Sequence, residues 1–429
     1  MLVFKFGGAS VKDAEAVKNV ARILSLYKEE KIIVIISAMG KMTNALEKVT
    51  EAYISKSPEL HDLIKEVKNY HAEIINNLGF ESSDPVYHDL ENCITEIEWV
   101  IEEEPSREYN FLYDQIVSQG EMISTKIVSA YLKKLGVTNQ WMDVRDVIQT
   151  NNSYREAKIN WELTQELMLE KIPPLHQKNN FIIAQGFIGG TSENYTTTLG
   201  REGSDFSAAI FSFCLDAKEM VVWKDVPGVL SADPKYSEQP VKLEEISYHD
   251  AIELTYYGAT VIHPKTIKPL ENKNIPLRVR SFNSPTDKGT IIAAFSQTKP
   301  LVPCFIFKTN QILLSISSRD FSFIAEDSLS KIYKLFAELN VKINLMQNSA
   351  ITFSVCMDND PFKIPQLIEQ LKLNFDVLYN ENLRLITVRH YYASTIDSLL
   401  QGNDIFLEQR SRHTAQIVLP DTASKKQLE

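Results

Sequence analysis

The stretch Thr196-Thr197-Thr198-Leu199-Gly200-Arg201-Glu202-Gly203-Ser204-Asp205 is the most informative part of the sequence. It is typical of a glycine-bearing loop that opens a helix, because apolar residues at helical spacing follow it from Phe206 to Phe213. Ser204 and Asp205 are favoured at helix starts, where they accept bonds from unpaired backbone N–H groups. The stretch therefore points a helix N-terminus, a guanidinium and a carboxylate toward one spot that suits an anion, with Asp205 placed for a metal or an ammonium. An ordinary loop–helix junction is the alternative.

Length and composition fit a soluble globular protein. The 429 residues allow two or three domains, and 44% are hydrophobic and 24% charged. A formal net charge of −11 argues against general nucleic-acid binding, although a local pocket can still be basic. The four cysteines lack metal-site spacing, so we expect reduced thiols and a cytoplasmic location. No apolar run approaches the roughly 18 residues of a membrane helix, and the chain starts on a strand instead of a signal peptide, so we expect no membrane association.

A lysine lies inside the first predicted strand. The run Leu2-Val3-Phe4-Lys5-Phe6 ends at Gly7-Gly8, and a helical pattern follows. An unpaired buried ammonium is costly, so an anion at the end of the strand would explain Lys5. The backbone N–H groups of Gly7 and Gly8 would contact phosphate oxygens. This is not a Walker A loop, because the lysine precedes the glycines, and an edge-strand lysine that reaches water is the alternative.

Two further segments supply candidate ligand contacts. Ile32 to Ile36 is a continuous apolar run, typical of a buried parallel strand, and ligands bind just beyond the carboxyl ends of such strands. Ser37 and Thr43 are therefore candidate contacts. Residues 45–135 are mainly helical, and within them Glu121 of Ser118-Gln119-Gly120-Glu121 has apolar neighbours, where its carboxylate would hold a substrate ammonium. Helix-capping hydroxyls and a surface glutamate are the alternatives.

The α/β pattern continues through the middle of the chain. Val144 to Ile148 and Phe181 to Gly190 extend it, and Met220 to Trp223 predicts another strand. This strand leads to Lys224 and Lys235, which would flank nucleotide phosphates or lie solvated in loops. A helical pattern opens at Glu245 to Ser247, and Leu277 to Arg280 alternates as a strand.

Six motifs, in the same order along the chain, resemble those of the aspartate kinases. They are Lys5-Phe6-Gly7-Gly8-Ala9-Ser10-Val11, Ser118-Gln119-Gly120-Glu121, Leu199 to Asp205, Trp223-Lys224-Asp225-Val226-Pro227-Gly228, Gly258-Ala259-Thr260-Val261-Ile262-His263-Pro264 and Ser281-Phe282-Asn283. The resemblance implies an amino acid kinase fold, which is an α/β fold with an open, mainly parallel sheet and helices on both faces. Ala9, Lys224, Leu230 and Thr260 depart from the usual residues of the family, the last three where it holds the nucleotide.

The resemblance implies the chemistry of the site. ATP with Mg²⁺ would phosphorylate the side-chain carboxylate of L-aspartate to 4-phospho-L-aspartate, the first step toward lysine, threonine and methionine. Such a transfer needs positioning and charge neutralisation, and the attacking carboxylate is already ionised, so no general base is required. The implied catalytic residues are Lys5, Gly8 and Asp205. The implied substrate contacts are Ser37, Thr43, Glu121, Arg201 and Ser204, and the implied nucleotide contacts are Lys5, Gly7, Gly8, Lys224, Asp225, Leu230 and Lys235. No residue is expected as a firm protein ligand of the metal.

The roles within this site follow from charge. Lys5 would bridge the reacting phosphates, and Arg201 would clamp a substrate carboxylate through two parallel bonds. Glu121 would pair with the substrate ammonium, and Asp205 would orient Lys5 or hold the metal. Thr43 and Ser37 would complete the aspartate pocket.

The C-terminal part is predicted to be a separate unit. We expect a kinase domain over 1–295, a polar linker at Ser296 to Pro300, and a regulatory region over 301–429. Its strand and helix patterns follow a ferredoxin-like β-α-β-β-α-β order. The resemblance implies two interleaved ACT units, the second shortened, that pair subunits into a homodimer or larger oligomer and bind lysine or, less favourably, threonine. The expected effector contacts are Ser318, Asp320, Gln347 and Asn348.

Two other functions stay open at this point. One is an inert ACT-type amino-acid sensor on a kinase scaffold, against which the joint presence of Lys5, Glu121, Arg201 and Asp205 argues. The other is a kinase of another acidic amino acid, such as glutamate or acetylglutamate. The Ser-x-Gly-Glu helix and the ACT region argue against that one.

Overall fold

The computed structural model describes residues 1–102, 104–105, 107–259, 262–320 and 322–421. Thr260, one of the departures from the kinase motifs, and Phe321, in the expected effector loop, lie outside the described residues. The chain divides into two compact units. The first comprises Met1–Val229, Glu244–Ile252 and Ile262–Thr298, and the described part of the second comprises 230–243, 253–259, 299–320 and 322–421.

The strands run in chain order as β1 (Leu2–Phe6), β2 (Ile32–Ile36), β3 (Asn139–Met142), β4 (Phe181–Gln185), β5 (Ile188–Gly190), β6 (Thr196–Thr198), β7 (Glu219–Lys224), β8 (Val229–Leu230), β9 (Lys242–Leu243), β10 (Glu245–Ser247), β11 (Leu277–Ser281), β12 (Thr290–Ala293), β13 (Cys304–Ser318), β14 (Ile343–Asn348), β15 (Thr352–Asp358), β16 (Phe375–Arg389), β17 (Leu407–Arg410) and β18 (Thr414–Pro420).

The helices are α1 (Ala14–Ser25), α2 (Met42–Ile54), α3 (Leu60–Asn77), α4 (Pro85–Glu102), α5 (Tyr109–Val117), α6 (Gln119–Lys134), α7 (Trp161–Lys178), α8 (Gly203–Cys214), α9 (Tyr248–Tyr257), α10 (Pro264–Asn272), α11 (Glu326–Glu338), α12 (Lys363–Leu371) and α13 (Ala393–Leu400). Short 3₁₀ turns cover Gly8–Val11 and Val144–Asp146. None of the described helices is both long and apolar enough to cross a membrane.

The first unit is built on an eight-stranded sheet with the order β10-β12-β11-β7-β1-β2-β4-β3. Every neighbouring pair from β11 to β3 is parallel, and β12 runs antiparallel to β11. β2 is fully buried, as its unbroken run of isoleucine and valine predicts. After β1 the chain moves to β2 on one side, and β7 later pairs with the other side of β1. The strand order therefore reverses at β1, and ligands bind at the carboxyl edge of such a reversal.

Val144 to Ile148, which extends the α/β pattern, starts as a 3₁₀ turn, and strand β3 lies a few residues earlier. One sequence interpretation of this unit was wrong. Glu245 to Ser247 is strand β10 and not the start of a helix, because these residues pair in parallel with Ile291 to Ala293 of β12. The helix begins only at Tyr248. At this place, contacts with a distant part of the chain override the local pattern.

The second unit contains a six-stranded antiparallel sheet with the order β14-β15-β13-β16-β18-β17. The sequence β13-α11-β14-β15-α12-β16 is the ferredoxin-like order that was predicted, with its core on Ile332, Phe353 and Leu367. The far ends of β13 and β16 pair with each other and, through β18, continue to β17. Among the described residues, this second half carries the single helix α13, so it is shorter than the first. The predicted fold class is confirmed.

Candidate active site

A cleft of about 770 Å³ opens at the carboxyl ends of β1 and β2. It brings together eight of the residues that the sequence predicted for the site: Lys5, Gly8, Ser37, Thr43, Glu121, Arg201, Ser204 and Asp205. They come from four separate segments of the first unit, so only the folded chain assembles them. Their charges are mixed, with two cations and two carboxylates, which suits a ligand that itself carries both signs.

The Asp205 carboxylate is a buried charged group of the cleft. Its side chain is fully buried, and its Oδ1 lies 2.6 Å from Nζ of Lys5 while its Oδ2 lies 3.8 Å from Nζ of Lys224. Burial alone would raise the pKa of this carboxyl, but the charges of Lys5 and Lys224 outweigh burial and hold the pKa below its usual value. Asp205 is therefore ionised at neutral pH and fixes both ammonium groups. Lys5, the lysine inside the first strand, is therefore paired with the anion Asp205.

Asp205 does not cap helix α8, which the sequence had predicted. The N-cap position belongs to Glu202, which has a left-handed backbone (φ 55°) and makes no side-chain cap bond. Asp205 lies in the first turn of the helix, where its carboxylate turns to Lys5. An ammonium at 2.6 Å is a stronger partner for a buried carboxylate than a backbone N–H, so the ion pair replaces the cap.

Glu121 lies at the start of α6 and is almost fully buried. Its Oε1 accepts a hydrogen bond of 3.2 Å from the backbone N–H of Ala38, and its Oε2 has no partner among the described residues. Burial raises the pKa of Glu121 to about 8. A Cβ at Gly120 would lie 3.0 Å from side-chain atoms of Ala38 and Leu46, so this glycine allows α6 to pack closely behind the cleft. A buried carboxylate with one oxygen unsatisfied is a ready acceptor for a ligand ammonium.

A third buried carboxylate, Asp114 on α5, holds two walls of the cleft together. Its Oδ2 accepts bonds from the backbone N–H groups of Thr198 (2.8 Å) and Arg155 (2.9 Å), and its Oδ1 accepts the Thr198 hydroxyl at 2.7 Å. Burial raises the pKa of Asp114 to about 6. Sequence reasoning missed this residue, because its three donors lie far away in the chain.

Arg155 is a further cleft residue that the sequence did not reveal. It has a left-handed backbone (φ 68°), its guanidinium lies 4.2 Å from the ring centroid of Tyr113, and its Nη2 lies 3.3 Å from Oε1 of Glu47. Arg155, Tyr113 and Tyr154 all line the cleft. The segment around Arg155 is polar and has no helical or strand period, so no local signal marks it.

The predicted nucleotide contacts are spread more widely. Gly7 lies beside the Lys5 ammonium, since a Cβ there would lie 3.3 Å from Nζ of Lys5. Lys224 contacts Asp205, whereas Asp225 lines a separate cavity of about 650 Å³ together with Ser10. Leu230 and Lys235 belong to the second unit.

The predicted effector residues lie at the carboxyl ends of two strands of the second unit's sheet and in the turn after one of them. Ser318 ends β13, while Gln347 and Asn348 end β14. Both strands flank β15 with their carboxyl ends at the same edge, because Ser317 pairs with Thr352 and Asn348 with Phe353. Asp320 follows in the turn, where its Oδ1 accepts a bond of 3.1 Å from the backbone N–H of Ser322.

The family of the chain follows from this fold and this cleft. The chain belongs to the amino acid kinase family, whose sequence model matches residues 1–281. The predicted resemblance is thereby confirmed at the level of the family.

Within that family, the chain is similar to aspartokinases. The chloroplastic aspartokinase 3 of Arabidopsis thaliana is 31% identical over 427 residues, which are 96% of this chain and 74% of the relative. The crystal structure of E. coli aspartokinase III in complex with lysine and aspartate has a TM-score of 0.84 at 26% identity, and the match covers 100% of this chain and 98% of that one. The structure of the same enzyme with aspartate and ADP has a TM-score of 0.83, with the same identity and coverage.

Proposed function

We propose that this protein is an aspartate kinase, which transfers the γ-phosphoryl group of ATP to the side-chain carboxylate of L-aspartate. The observation that carries the proposal is the single cleft in which Lys5, Asp205, Glu121 and Arg201 meet. The site supplies cations for phosphate and carboxylate, together with one unsatisfied buried carboxylate for an ammonium. Relatives of this chain are aspartokinases, and one of them has been crystallised with aspartate and ADP.

Charge explains the role of the ion pair between Lys5 and Asp205. An aspartate carboxylate that attacks a triphosphate brings anions together, so the barrier falls when fixed cations lie between them. Asp205 holds the Lys5 ammonium at 2.6 Å from its Oδ1, so that the cation is in place before the substrates arrive. Lys5 bridges the reacting phosphates, and the backbone N–H of Gly8 supports the transferred group. The bond from the γ-phosphorus to the β,γ-bridging oxygen breaks as the bond to the carboxylate oxygen forms, and ADP leaves.

Recognition of aspartate uses groups of opposite sign. Glu121 receives the α-ammonium on its unsatisfied Oε2, and Arg201, which is exposed on the loop before α8, clamps a carboxylate. Ser37 and Thr43, from the loop and helix after β2, and Ser204, from α8, provide hydroxyl groups around the same ligand. A diacid that lacks the ammonium leaves Glu121 without a partner, and such a site discriminates strongly against it.

Mg²⁺ enters this proposal bound to ATP. No group of three or more potential ligands occurs among the described residues, and Asp205 is already engaged by two ammonium groups. Mg²⁺ is commonly held by substrate phosphates and water with few protein ligands, so the residues present fit an ion that arrives with the nucleotide. The ion would neutralise phosphate charge beside Lys5.

The proposal extends to regulation and assembly. The second unit binds lysine, or less favourably threonine, at the strand ends and turn that contain Ser318, Asp320, Gln347 and Asn348. Its sheets pair two copies of the chain into a homodimer or a larger oligomer. The E. coli relative that was crystallised with lysine and aspartate supports lysine as the first effector to test.

The decisive experiment is a coupled assay of ADP release with Mg·ATP. L-aspartate is compared with L-glutamate, N-acetylglutamate and succinate, and hydroxylamine trapping of the acyl phosphate identifies the product. We expect turnover with aspartate alone. Turnover that prefers glutamate or acetylglutamate would replace the substrate assignment. The absence of any acceptor-dependent ADP release, combined with calorimetric binding of lysine, would favour the inert sensor.

A further inference from the structure

Two glycine-bearing loops meet at the mouth of the cleft. The backbone N–H of Gly40, after β2, donates a hydrogen bond of 3.0 Å to the carbonyl oxygen of Gly8, after β1. They are in such close contact that a Cβ at Gly8 would lie 2.7 Å from the Gly40 oxygen. In the proposed reaction the loop after β1 holds the phosphoryl donor, and the segment from Ser37 to Thr43 holds the acceptor. Their relative position therefore sets the distance between the reacting atoms.

One side chain outside the cleft contacts both loops. Tyr70 of α3 donates its hydroxyl hydrogen bond to the carbonyl oxygen of Lys12, the residue that ends the 3₁₀ turn Gly8–Val11. The same hydroxyl oxygen lies where a Cβ of Gly40 would be only 2.5 Å away. Gly40 has a left-handed backbone (φ 56°), so the loop accepts this contact only with glycine. Tyr70 is thus bonded to one loop and packed on the other.

Tyr70 projects from a well-anchored helix. α3 buries Ile64, Val67, His71 and Ile74 on the face next to the neighbouring helices. The His71 ring lies edge-on to Tyr70 with the centroids 5.4 Å apart, and its Nδ1 lies 2.8 Å from the carbonyl oxygen of Val67. Burial lowers the pKa of His71 to about 4, so this ring is neutral when the enzyme works. The part of α3 that carries Tyr70 is therefore held in place by its buried face.

We propose that Tyr70 is a positioning residue for phosphoryl transfer, which aligns the donor loop at Gly8 with the acceptor loop at Gly40. The inference rests on the proposed function, because the reaction is what gives the distance between the loops its meaning. Tyr70 does not line the cleft and touches neither substrate. Its removal therefore lowers the rate of transfer within the complex more than it weakens the binding of either substrate.

The test compares Tyr70→Phe with Tyr87→Phe, which removes the hydroxyl of a half-buried tyrosine on α4. Steady-state kinetics are measured for ATP and for aspartate, and thermal unfolding shows that both variants are folded. Loss of one hydrogen bond that aligns the loops is expected to lower kcat about fivefold in Tyr70→Phe. Both KM values should change by less than about twofold, as is expected when only alignment is lost. Tyr87→Phe should match the wild type.

Gly40→Ala supplies an independent variant. In the wild-type background its methyl group meets the Tyr70 hydroxyl, whereas in Tyr70→Phe the nearest atom of that ring is at 3.5 Å, an ordinary contact. Gly40→Ala should therefore cost about tenfold more kcat in the wild-type background than in the Tyr70→Phe background. Additive effects would contradict the shared contact.

The outcomes separate the inference from the proposed function. A wild-type protein without aspartate-dependent ADP release removes the proposed function and the inference with it. An active wild type, together with a folded Tyr70→Phe whose kcat is unchanged, overturns the inference alone. A Tyr70→Phe variant with unchanged kcat and raised KM values also overturns it, because Tyr70 would then support binding instead of alignment.

Discussion

At the scale of single residues, the Lys5 ammonium is the group on which the proposed chemistry depends most. It is almost fully buried, and its Nζ lies 2.6 Å from Oδ1 of Asp205. Lys5→Met removes one preorganised charge from the site. We expect kcat to fall on the order of 10²–10³, the usual cost of losing one such donor.

The fold should survive this change better than the activity does. Lys224 remains 3.8 Å from Oδ2 of Asp205 and continues to compensate its charge. Circular dichroism and thermal unfolding check the fold, and Lys48→Met, at an exposed position of α2, is the matched control. Unchanged turnover in a folded Lys5→Met protein would contradict the assignment.

Glu121 predicts an unusual dependence on pH. Burial raises the pKa of its carboxyl from 4.5 to about 8 in the folded chain, so between these values the folded state holds a proton that the unfolded state has lost. The free energy of unfolding therefore falls as the pH rises through this window. Glu121→Gln has nothing to ionise, and we expect it to unfold at a higher temperature than the wild type at pH 8. The difference should vanish near pH 4.5.

The same substitution should impair the use of aspartate. The ionised carboxylate is the form that pairs with an ammonium, so the wild-type KM for aspartate should fall as the pH rises from 6.5 to 8, and Glu121→Gln should lose this trend. Glu98→Gln, the same change at an exposed site on α4, provides the control. A variant that is less stable than the wild type at pH 8 but binds aspartate normally would contradict both roles.

At the scale of elements, Asp114 connects α5 to β6 and to the segment at Arg155. Asp114→Ala leaves one buried and one partly buried backbone N–H group and one hydroxyl without their acceptor, which should cost about 2–4 kcal/mol of stability. Thr198→Val removes only the bond of 2.7 Å and should cost about 1 kcal/mol. Thermal unfolding with and without aspartate measures both. Equal losses in the two variants would show that the backbone bonds contribute nothing.

Elements were predictable from the sequence where burial alone decides them. β1, β2 and β7 are short apolar runs, and each appears within one residue of its expected bounds. β10 escaped prediction, because its three residues become a strand only when β12 lies beside them. The periodicity of a segment reports how it faces a core, and it carries no information about a partner that is distant in the chain.

The residues of the candidate site divide in the same way, into those that the local sequence predicts and those that depend on distant contacts. Lys5 and Glu121 could be predicted, since a charge within an apolar run requires a partner. Asp114 and Arg155 could not, because their partners come from three segments that the fold alone brings together. The expected cap at Asp205 was wrong for a related reason: the competing partner, Lys5, lies 200 positions earlier in the chain.

At the scale of the whole molecule, the remaining question is whether the second unit controls the first. A ligand inhibits only if it binds the inactive arrangement more tightly, and typical coupling is about 1–3 kcal/mol. We therefore expect lysine, titrated at sub-saturating aspartate, to raise the apparent KM for aspartate by about 5–150-fold, with threonine weaker. By reciprocity, aspartate must weaken the binding of lysine by the same factor, which isothermal titration calorimetry measures directly.

The position of the effector can be tested with paired variants. Asn348→Ala, at the end of edge strand β14, should shift the lysine inhibition curve to higher concentration, since it removes a polar group from the expected contact. Gln409→Ala removes an exposed amide from β17, the opposite edge of the same sheet, and should leave the curve in place. If both variants behave like the wild type, lysine binds elsewhere. If lysine neither binds nor inhibits, the second unit has a structural role, and analytical ultracentrifugation then asks whether it pairs the subunits.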